Sequence, residues 1–182
     1  MLKVSDNPPI LFPPDASIQS LADRWWVAHT KARCEKQFAW DLHRRTIPYF
    51  LPMVSHSIFS GGRKRRGMMP LFPSYVFFAG DDSARLAALV TDRLCQVIEV
   101  PDQESLKREL TALHQAIESG MTIDPYPFAV VGSRCRVRGG PLRGVEGTII
   151  RRDGVDRLVL EVHMLGRGAL VEIAPELQEA ID

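Results

Sequence analysis

The sequence predicts an α+β protein in which an antiparallel sheet with flanking helices is followed by a small β-barrel. Helical spacing of apolar residues occurs in the first 120 residues, whereas short alternating strand patterns dominate from residue 130 onward. With 182 residues, 45% of them apolar, the chain can form one medium core and one small core. We expect a flexible Pro-rich extension (1–23), a first domain (24–120), a linker (121–129) and a second domain (130–182).

The extension is predicted from its prolines. Residues 1–23 hold four of the thirteen prolines of the chain and show no apolar periodicity. Within it, Ile10, Leu11 and Phe12 are candidates to rest on the folded body.

The first domain opens with a strand, a helix and a hairpin. The run WWVAHT (25–30) is of β type, and the helical spacing that follows it comprises Cys34, Phe38 and Leu42. Two runs rich in aromatic and β-branched residues come next, YFLPMVSHSIF (49–59) and PLFPSYVFF (70–78). The segment that joins them, SGGRKRRG (60–67), predicts a long, very basic hairpin tip.

Two further helices and a strand complete this domain. Asp81 or Asp82 can cap a helix with one apolar face, formed by Leu86, Leu89 and Val90. The run LCQVIEV (94–100) predicts the next strand. The last helix is amphipathic and ends near Gly120, and its apolar positions are Leu106, Leu110, Leu113 and Ile117.

The second domain is predicted from alternation. Apolar side chains recur at every second position in three runs, which are Cys135/Val137, Leu158/Leu160/Val162 and Val171/Ile173. Glycine-containing turns separate these short strands, so we expect them to close into a barrel and remove exposed edges.

The net charge of +1 is the sum of oppositely charged regions. Residues 31–66 carry nine basic and two acidic side chains, whereas residues 81–124 carry four basic and nine acidic ones. The basic region can hold phosphate while the acidic region repels it. The run Arg63–Arg66 has two open interpretations, a solvated tip that keeps a β-edge soluble or a contact with a polyanion.

Catalysis, metal binding and membrane insertion are not indicated. The five histidines are scattered, and no nucleophile–base motif or phosphate-binding glycine loop is found. The cysteines Cys34, Cys95 and Cys135 are far apart and lack CxxC spacing. No run approaches 18 apolar residues, and the N-terminus lacks a signal-peptide pattern. We expect a cytoplasmic protein that is not an enzyme and needs no cofactor or metal.

The most specific motif is GSRCRVRGGPLRGVEGTII (132–150). Its glycines and proline provide a tight turn and close chain approach, and its apolar residues anchor the loop in a barrel. The positions of the motif are Gly132, Val137, Gly140, Pro141, Leu142, Gly144 and Gly147. It resembles the KOW motif of NusG-type transcription factors and of several ribosomal proteins.

The rest of the chain extends this resemblance. WWVAHTKARCEKQFAWDL (25–42) and PLFPSYVFF (70–78) look like the N-terminal domain of NusG-family elongation factors, and HMLGRGALVEI (163–173) is similar to the closing segment of the family. The resemblance implies a NusG-like domain, an SH3-like KOW barrel and a transcription elongation or antitermination factor. Implied partners are RNA polymerase, upstream or non-template DNA, and either Rho or a small-subunit ribosomal protein, with the factor a monomer.

The resemblance also implies site residues. Six residues match the polymerase-binding concavity of the family: Trp25, Trp26, His29, Phe72, Pro73 and Tyr75. Six residues match the region that meets DNA or the polymerase lobe: Lys31, Arg33, Arg63, Lys64, Arg65 and Arg66. Met164, Leu165 and Arg167 match the KOW segment that binds the second partner. Phe72 and Tyr75 are also explained as core residues of a sheet.

Three features depart from housekeeping NusG, and one of them resembles specialised paralogues of the RfaH kind. The Pro-rich extension and the basic run are not general in the family, and PLFPSYVFF (70–78) is closer to the specialised form. The alternative is a KOW-type RNA- or ribosome-binding protein that acts in translation, which leaves the first 120 residues unexplained.

Overall fold

The computed structural model describes residues 7–21, 24–60, 63–126, 132–152 and 154–181, with only the backbone at 58–60 and 63–66. The chain forms two compact units, a first unit of Met1–Gln103 and a second unit of Glu104–Asp182.

The first unit is an antiparallel sheet with two helices and a separate hairpin. Its elements are β1 (Leu11–Phe12), β2 (Trp25–Thr30), α1 (Glu35–Arg44), β3 (Tyr49–Phe50), β4 (Met53–Ser60), β5 (Arg63–Pro70), β6 (Tyr75–Ala79), α2 (Asp82–Leu89) and β7 (Leu94–Glu99). The main sheet has the strand order β1-β3-β6-β2-β7, and β4 pairs with β5 as a two-stranded ribbon.

The core of the first unit lies between one face of the sheet and the two helices. Phe38 and Leu42 of α1 are fully buried against the sheet residues Trp26, Ala28 and Phe78. The helix predicted from the spacing of Cys34, Phe38 and Leu42 is therefore confirmed, with Cys34 as the residue before its first turn.

The N-terminal segment is packed, which differs from the expected flexible extension over residues 7–21. Leu11 and Ile18 are only 4% and 2% exposed. β1 pairs with β3, and the backbone N–H of Leu51 donates to the carbonyl of Ile10 at 2.7 Å. An edge position tolerates the flanking prolines because their missing N–H groups interrupt no interior ladder.

The predicted hairpin is shifted along the chain. The long ribbon is built from β4 and β5, while residues 49–50 and 75–79 join the main sheet. The run Arg63–Arg66 is therefore the first half of β5, paired with residues 57–60, and the expectation of a basic loop at 60–67 is wrong. The turn before β6, where Ser74 has φ +69°, separates the two strands that the sequence joined as 70–78.

Helix α2 begins as expected but packs through a different face. The Asp81 side chain accepts a hydrogen bond from the N–H of Ala84 at 3.0 Å, which confirms the cap. The expected buried residues are exposed instead, at 58% for Leu86, 39% for Leu89 and 74% for Val90. Ala88 is buried, because small side chains let the helix lie close to the sheet.

The second unit follows Gln103 and contains one helix and six strands among its described residues. They are α3 (Gln103–Glu118), β8 (Ile123–Tyr126), β9 (Ser133–Val137), β10 (Glu146–Arg152), β11 (Val155–Val162), β12 (Arg167–Glu172) and β13 (Gln178–Ala180). The antiparallel sheet has the order β13-β9-β10-β11-β12-β8. The division into units falls after Gln103, the first residue of α3, whereas the predicted first domain ends at residue 120. β8 occupies part of the predicted linker, and the predicted domain boundaries stay predictions.

The inward positions predicted for the second unit are buried, but burial alternates only in β9, because β11 and β12 also bury the residues between them. Residues at the predicted inward positions are at most 6% exposed, and they are Cys135, Val137, Leu158, Leu160, Val162, Val171 and Ile173. In α3, the predicted face is also buried at Leu106, Leu110 and Leu113. The molecule therefore has the expected α+β class, with a helix-flanked antiparallel sheet followed by a second domain rich in β-strands.

Candidate functional site

The residues expected at a polymerase-binding surface are divided between interior and surface. His29 and Tyr75 lie opposite each other on β2 and β6, and their rings stack with centroids 5.1 Å apart. Both side chains are half-buried, and the neighbouring Pro73 is exposed. These three residues lie where β2 ends and β6 begins, and we call them the aromatic edge.

The remaining three of these residues are in the interior. Trp25 and Trp26 are fully buried and Phe72 is 2% exposed. Phe72 packs edge-on against Phe77, with ring centroids 6.3 Å apart. Trp26 belongs to the core that packs against the helices, and adjacent strand residues point to opposite faces. These side chains support the sheet and are not accessible in this structure.

The backbone of β2 is held at its first residue by a glutamine side chain. The N–H of Trp25 donates to Gln103 Oε1 at 2.7 Å, and Gln103 Nε2 donates to the carbonyl of Trp25 at 3.0 Å. This bidentate contact fixes the beginning of the strand that carries His29.

The turn that carries Pro73 is held by a residue that the sequence did not single out. Glu35, which is 7% exposed, accepts a hydrogen bond at Oε1 from the N–H of Ser74 at 2.7 Å. On the other side, the carbonyl of Ser74 accepts from the N–H of Thr30 at 2.8 Å. The only sequence signal for Glu35 was an acidic residue in the first turn of a helix, where the helix dipole favours it.

The expected contacts with DNA or the polymerase lobe lie on two elements. Lys31 and Arg33 follow β2 and are exposed, and Lys31 Nζ lies 2.7 Å from Asp92 Oδ1. The hydrogen bond and charge of Lys31 lower the pKa of the Asp92 carboxyl. The other cations lie on β5, where the side chains of residues 63–66 are outside the described atoms.

The ribbon of β4 and β5 is uniformly non-acidic. Residues 53–70 contain no Asp or Glu, and they include the four cations of 63–66. Ser55, His56 and Ser57 of the facing strand are exposed. An extended ribbon without negative charge is suited to a polyanion.

The KOW-like segment forms a strand, a turn and a strand in the second unit. Gly132 precedes β9 and Val137 ends it, and a short 3-10 helix follows at Gly140–Leu142, with Pro141 inside it and Leu142 buried. Gly144 has φ +84°, a conformation that side-chain-bearing residues rarely adopt. A Cβ at Gly147 would lie 2.6 Å from the carbonyl oxygen of Val159, so β10 and β11 approach closely there.

The expected partner-binding residues of the second unit lie around one turn. Met164 and Leu165 belong to a 3-10 helix at His163–Leu165, and Arg167 begins β12. All three side chains are half-buried, so part of each remains accessible. His163 Nδ1 lies 2.6 Å from a carboxylate oxygen of Glu109 in α3, which holds the start of this turn.

In the part of the chain that the structure describes, no group of three or more His, Cys, Asp or Glu side chains is arranged to hold a metal ion. None of the described helices is long and apolar enough to span a membrane.

Comparison with known proteins assigns the family. A solved structure titled "Domain interaction in Thermotoga maritima NusG" is similar in fold, with a TM-score of 0.52 and 18% sequence identity, covering 87% of this chain and 97% of that chain. No curated protein matches the chain. The family model described as "Transcription termination factor nusG" matches residues 23–115, which is more than half of the sequence. The chain therefore belongs to the NusG family of non-enzymatic transcription factors that bind RNA polymerase.

Proposed function

We propose that this protein is an elongation and antitermination factor that binds RNA polymerase through its first unit and suppresses pausing or termination. In this proposal the second unit, with its KOW-like segment, recruits a ribosomal protein or Rho. The proposed factor is a cytoplasmic monomer and a specialised paralogue of the RfaH kind.

The observation that carries the polymerase contact is the aromatic edge. Stacked rings of His29 and Tyr75 next to exposed Pro73 offer rigid apolar area with polar atoms at its margin. Such groups are frequent anchors in protein interfaces, where one well-packed aromatic residue can contribute several kcal/mol, on the order of 2 or more. Glu35 holds the backbone of Ser74, between Pro73 and Tyr75, so this part of the aromatic edge is preorganised for binding.

Co-purification tests this contact. Tagged protein is expected to retain RNA polymerase after nuclease treatment, and the double variant His29→Ala/Tyr75→Ala is expected to lose about tenfold or more in polymerase affinity. Tyr126→Ala is the matched control, because Tyr126 is a half-buried tyrosine of the second unit. Loss of polymerase with retention of ribosomes in the wild type would instead favour the translation alternative.

The ribbon is the proposed contact with upstream or non-template DNA, together with Lys31 and Arg33. Reversal of Arg63, Lys64, Arg65 and Arg66 to Glu is expected to reduce antipausing in a transcription assay without unfolding the protein. Each lost phosphate contact should also reduce the salt slope of duplex DNA binding by roughly 0.9. Arg151→Glu/Arg152→Glu is the control for charge alone when it is compared with the double variant Arg65→Glu/Arg66→Glu, because the two pairs change the net charge equally and Arg151 and Arg152 are exposed on β10. Unchanged antipausing would show that residues 63–66 form only a solvated strand and make no functional contact with DNA.

The proposed partner surface of the second unit is tested with the full chain. Met164→Ser/Leu165→Ser is expected to weaken capture of the ribosomal protein or of Rho and to leave polymerase binding unchanged. Chromosomal occupancy separates a specialist from a general factor, because a specialist is expected on one operon and a general factor on most genes.

A further inference from the structure

The ribbon of β4 and β5 depends on a few contacts at its base for its direction. Its two strands pair only with each other among the described residues. At the base, Met53 is 2% exposed, and the N–H of Leu71 donates to the carbonyl of Pro52 at 2.8 Å. Beyond that closing pair, residues 55–57 are exposed. Small changes at the base would therefore move the cations at residues 63–66 by larger distances.

Lys36 binds this base from α1. Its Nζ donates to the carbonyl of Met68 on β5 and to Asn7 Oδ1 in the N-terminal segment, the second bond at 2.6 Å. Burial lowers the pKa of Lys36, and the nearby Glu35 carboxylate opposes that shift. One ammonium group thus joins a helix, the ribbon and the N-terminal segment.

The N-terminal segment is itself fixed to the first unit. Phe12 stacks on Tyr49 with ring centroids 5.9 Å apart, and β1 pairs with β3. Leu11 and Ile18 are buried, as described above. Asn7 therefore presents its side-chain oxygen from an anchored segment.

We propose that Lys36 is a positioning residue which, with Asn7, fixes the direction of the β4–β5 ribbon and so determines where the ribbon cations meet DNA. This inference rests on the proposed role of the ribbon in DNA contact. Lys36 acts through the backbone of Met68, since two of its three N–H donors are already used inside the protein. The N-terminal segment then belongs to the functional surface, although it precedes the residues that match the family model.

Hydrogen exchange of the full chain tests, without DNA, the contact of Lys36 with Asn7 and the Met68 carbonyl, which we call the clamp. Lys36→Met removes the ammonium and keeps the apolar stem, and amides of residues 54–57 and 67–69 are expected to exchange about tenfold faster. Asn7→Ala should accelerate the same amides to a smaller extent, and Lys36→Arg should restore part of the protection because it keeps a cationic donor. Lys107→Met is the matched control, since Lys107 is a buried lysine of α3 paired with Glu104.

Crosslinking in an elongation complex tests the consequence. A photoreactive probe is attached at Ser57→Cys in protein whose other accessible thiols are removed by Cys34→Ser and Cys95→Ser. It is expected to label a narrow set of upstream nucleotides when Lys36 is present and a broader set when Lys36→Met is added. Unchanged exchange in both Lys36→Met and Asn7→Ala, or an unchanged crosslink pattern, would overturn the inference. Absence of any DNA crosslink in the wild-type background, with the exchange effect present, would refute the proposed DNA contact and leave the clamp intact. Tryptophan fluorescence reports whether Lys36→Met unfolds the first unit. If it does, the hydrogen exchange of Asn7→Ala tests the inference instead.

Discussion

Removal of the Glu35 carboxylate is the most direct test of how the aromatic edge is supported. Glu35→Ala leaves the N–H of Ser74 without the acceptor that lies 2.7 Å away in the wild type. A hydrogen bond to a charged group contributes about 1.5–3 kcal/mol, and an acidic residue in the first turn of a helix adds about 0.3–1 kcal/mol. We therefore expect a loss of about 2–4 kcal/mol in the free energy of unfolding of the first unit.

Urea denaturation followed by tryptophan fluorescence measures this loss selectively. All three tryptophans, at positions 25, 26 and 40, belong to the first unit. With a slope of about 2 kcal/mol/M, the midpoint should fall by about 1–2 M urea. Glu35→Gln keeps an acceptor oxygen and should lose about half as much.

Asp82→Ala is the matched control for Glu35→Ala. Asp82 is also an acidic residue in the first turn of a helix of the first unit, but its side chain is 76% exposed. Its replacement should cost less than about 1 kcal/mol. If Glu35→Ala costs no more than Asp82→Ala, the assignment of Glu35 as the support of the Ser74 turn is wrong.

Three further predictions concern single residues. Burial raises the pKa of the Tyr49 phenol, so above about pH 10 the unfolded state loses this proton first and the free energy of unfolding falls. In urea denaturation at pH 8 to 11, the midpoint of Tyr49→Phe should therefore fall less with rising pH than the midpoint of the wild type. Gly147→Ala should lower the melting temperature of the second unit in calorimetry, whereas Gly139→Ala, whose nearest neighbour is a side-chain atom 3.4 Å away, should leave it nearly unchanged. Exposed Cys95 should react rapidly with a thiol reagent and buried Cys135 only on unfolding, since burial also raises the pKa of the Cys135 thiol. Mass spectrometry of the labelled peptides measures the order of reaction, and labelling of Cys135 before Cys95 would contradict this prediction.

Patterns carried by large apolar residues predicted the fold well. The helix of Phe38 and Leu42, the helix of Leu106 and Leu110, and the strands of the second unit all lie where periodicity places them, although β11 and β12 bury consecutive residues. Each pattern is local and is satisfied by one buried face, so it can be read without knowing the partner element.

Elements determined by distant partners were not predictable in the same way. β1 has two residues between prolines and forms because the edge of β3 is available to pair with it. The basic run reads as a loop because of its glycines and charges, yet cross-strand pairing with residues 57–60 makes it a strand. α2 buries an alanine face against the sheet, so its larger apolar residues gave the wrong orientation.

The residues of the candidate site also differ in whether the sequence predicts them. His29 and Tyr75 are found together because both belong to motifs read from the sequence. Glu35 and Lys36 make their contacts through side chains that reach the backbone of residues 68 and 74, and no spacing in the sequence reports such contacts.

Strand β1 also bears on the solubility of the protein. It occupies the edge of the main sheet beside β3, where an unpaired row of N–H and C=O groups would otherwise invite pairing between molecules. A chain shortened to begin at residue 24 retains the residues that match the family from that point on, but it uncovers this edge next to Tyr49 and Phe50. The N-terminal segment thus protects this sheet edge from pairing with other molecules, and its removal should cause the protein to self-associate.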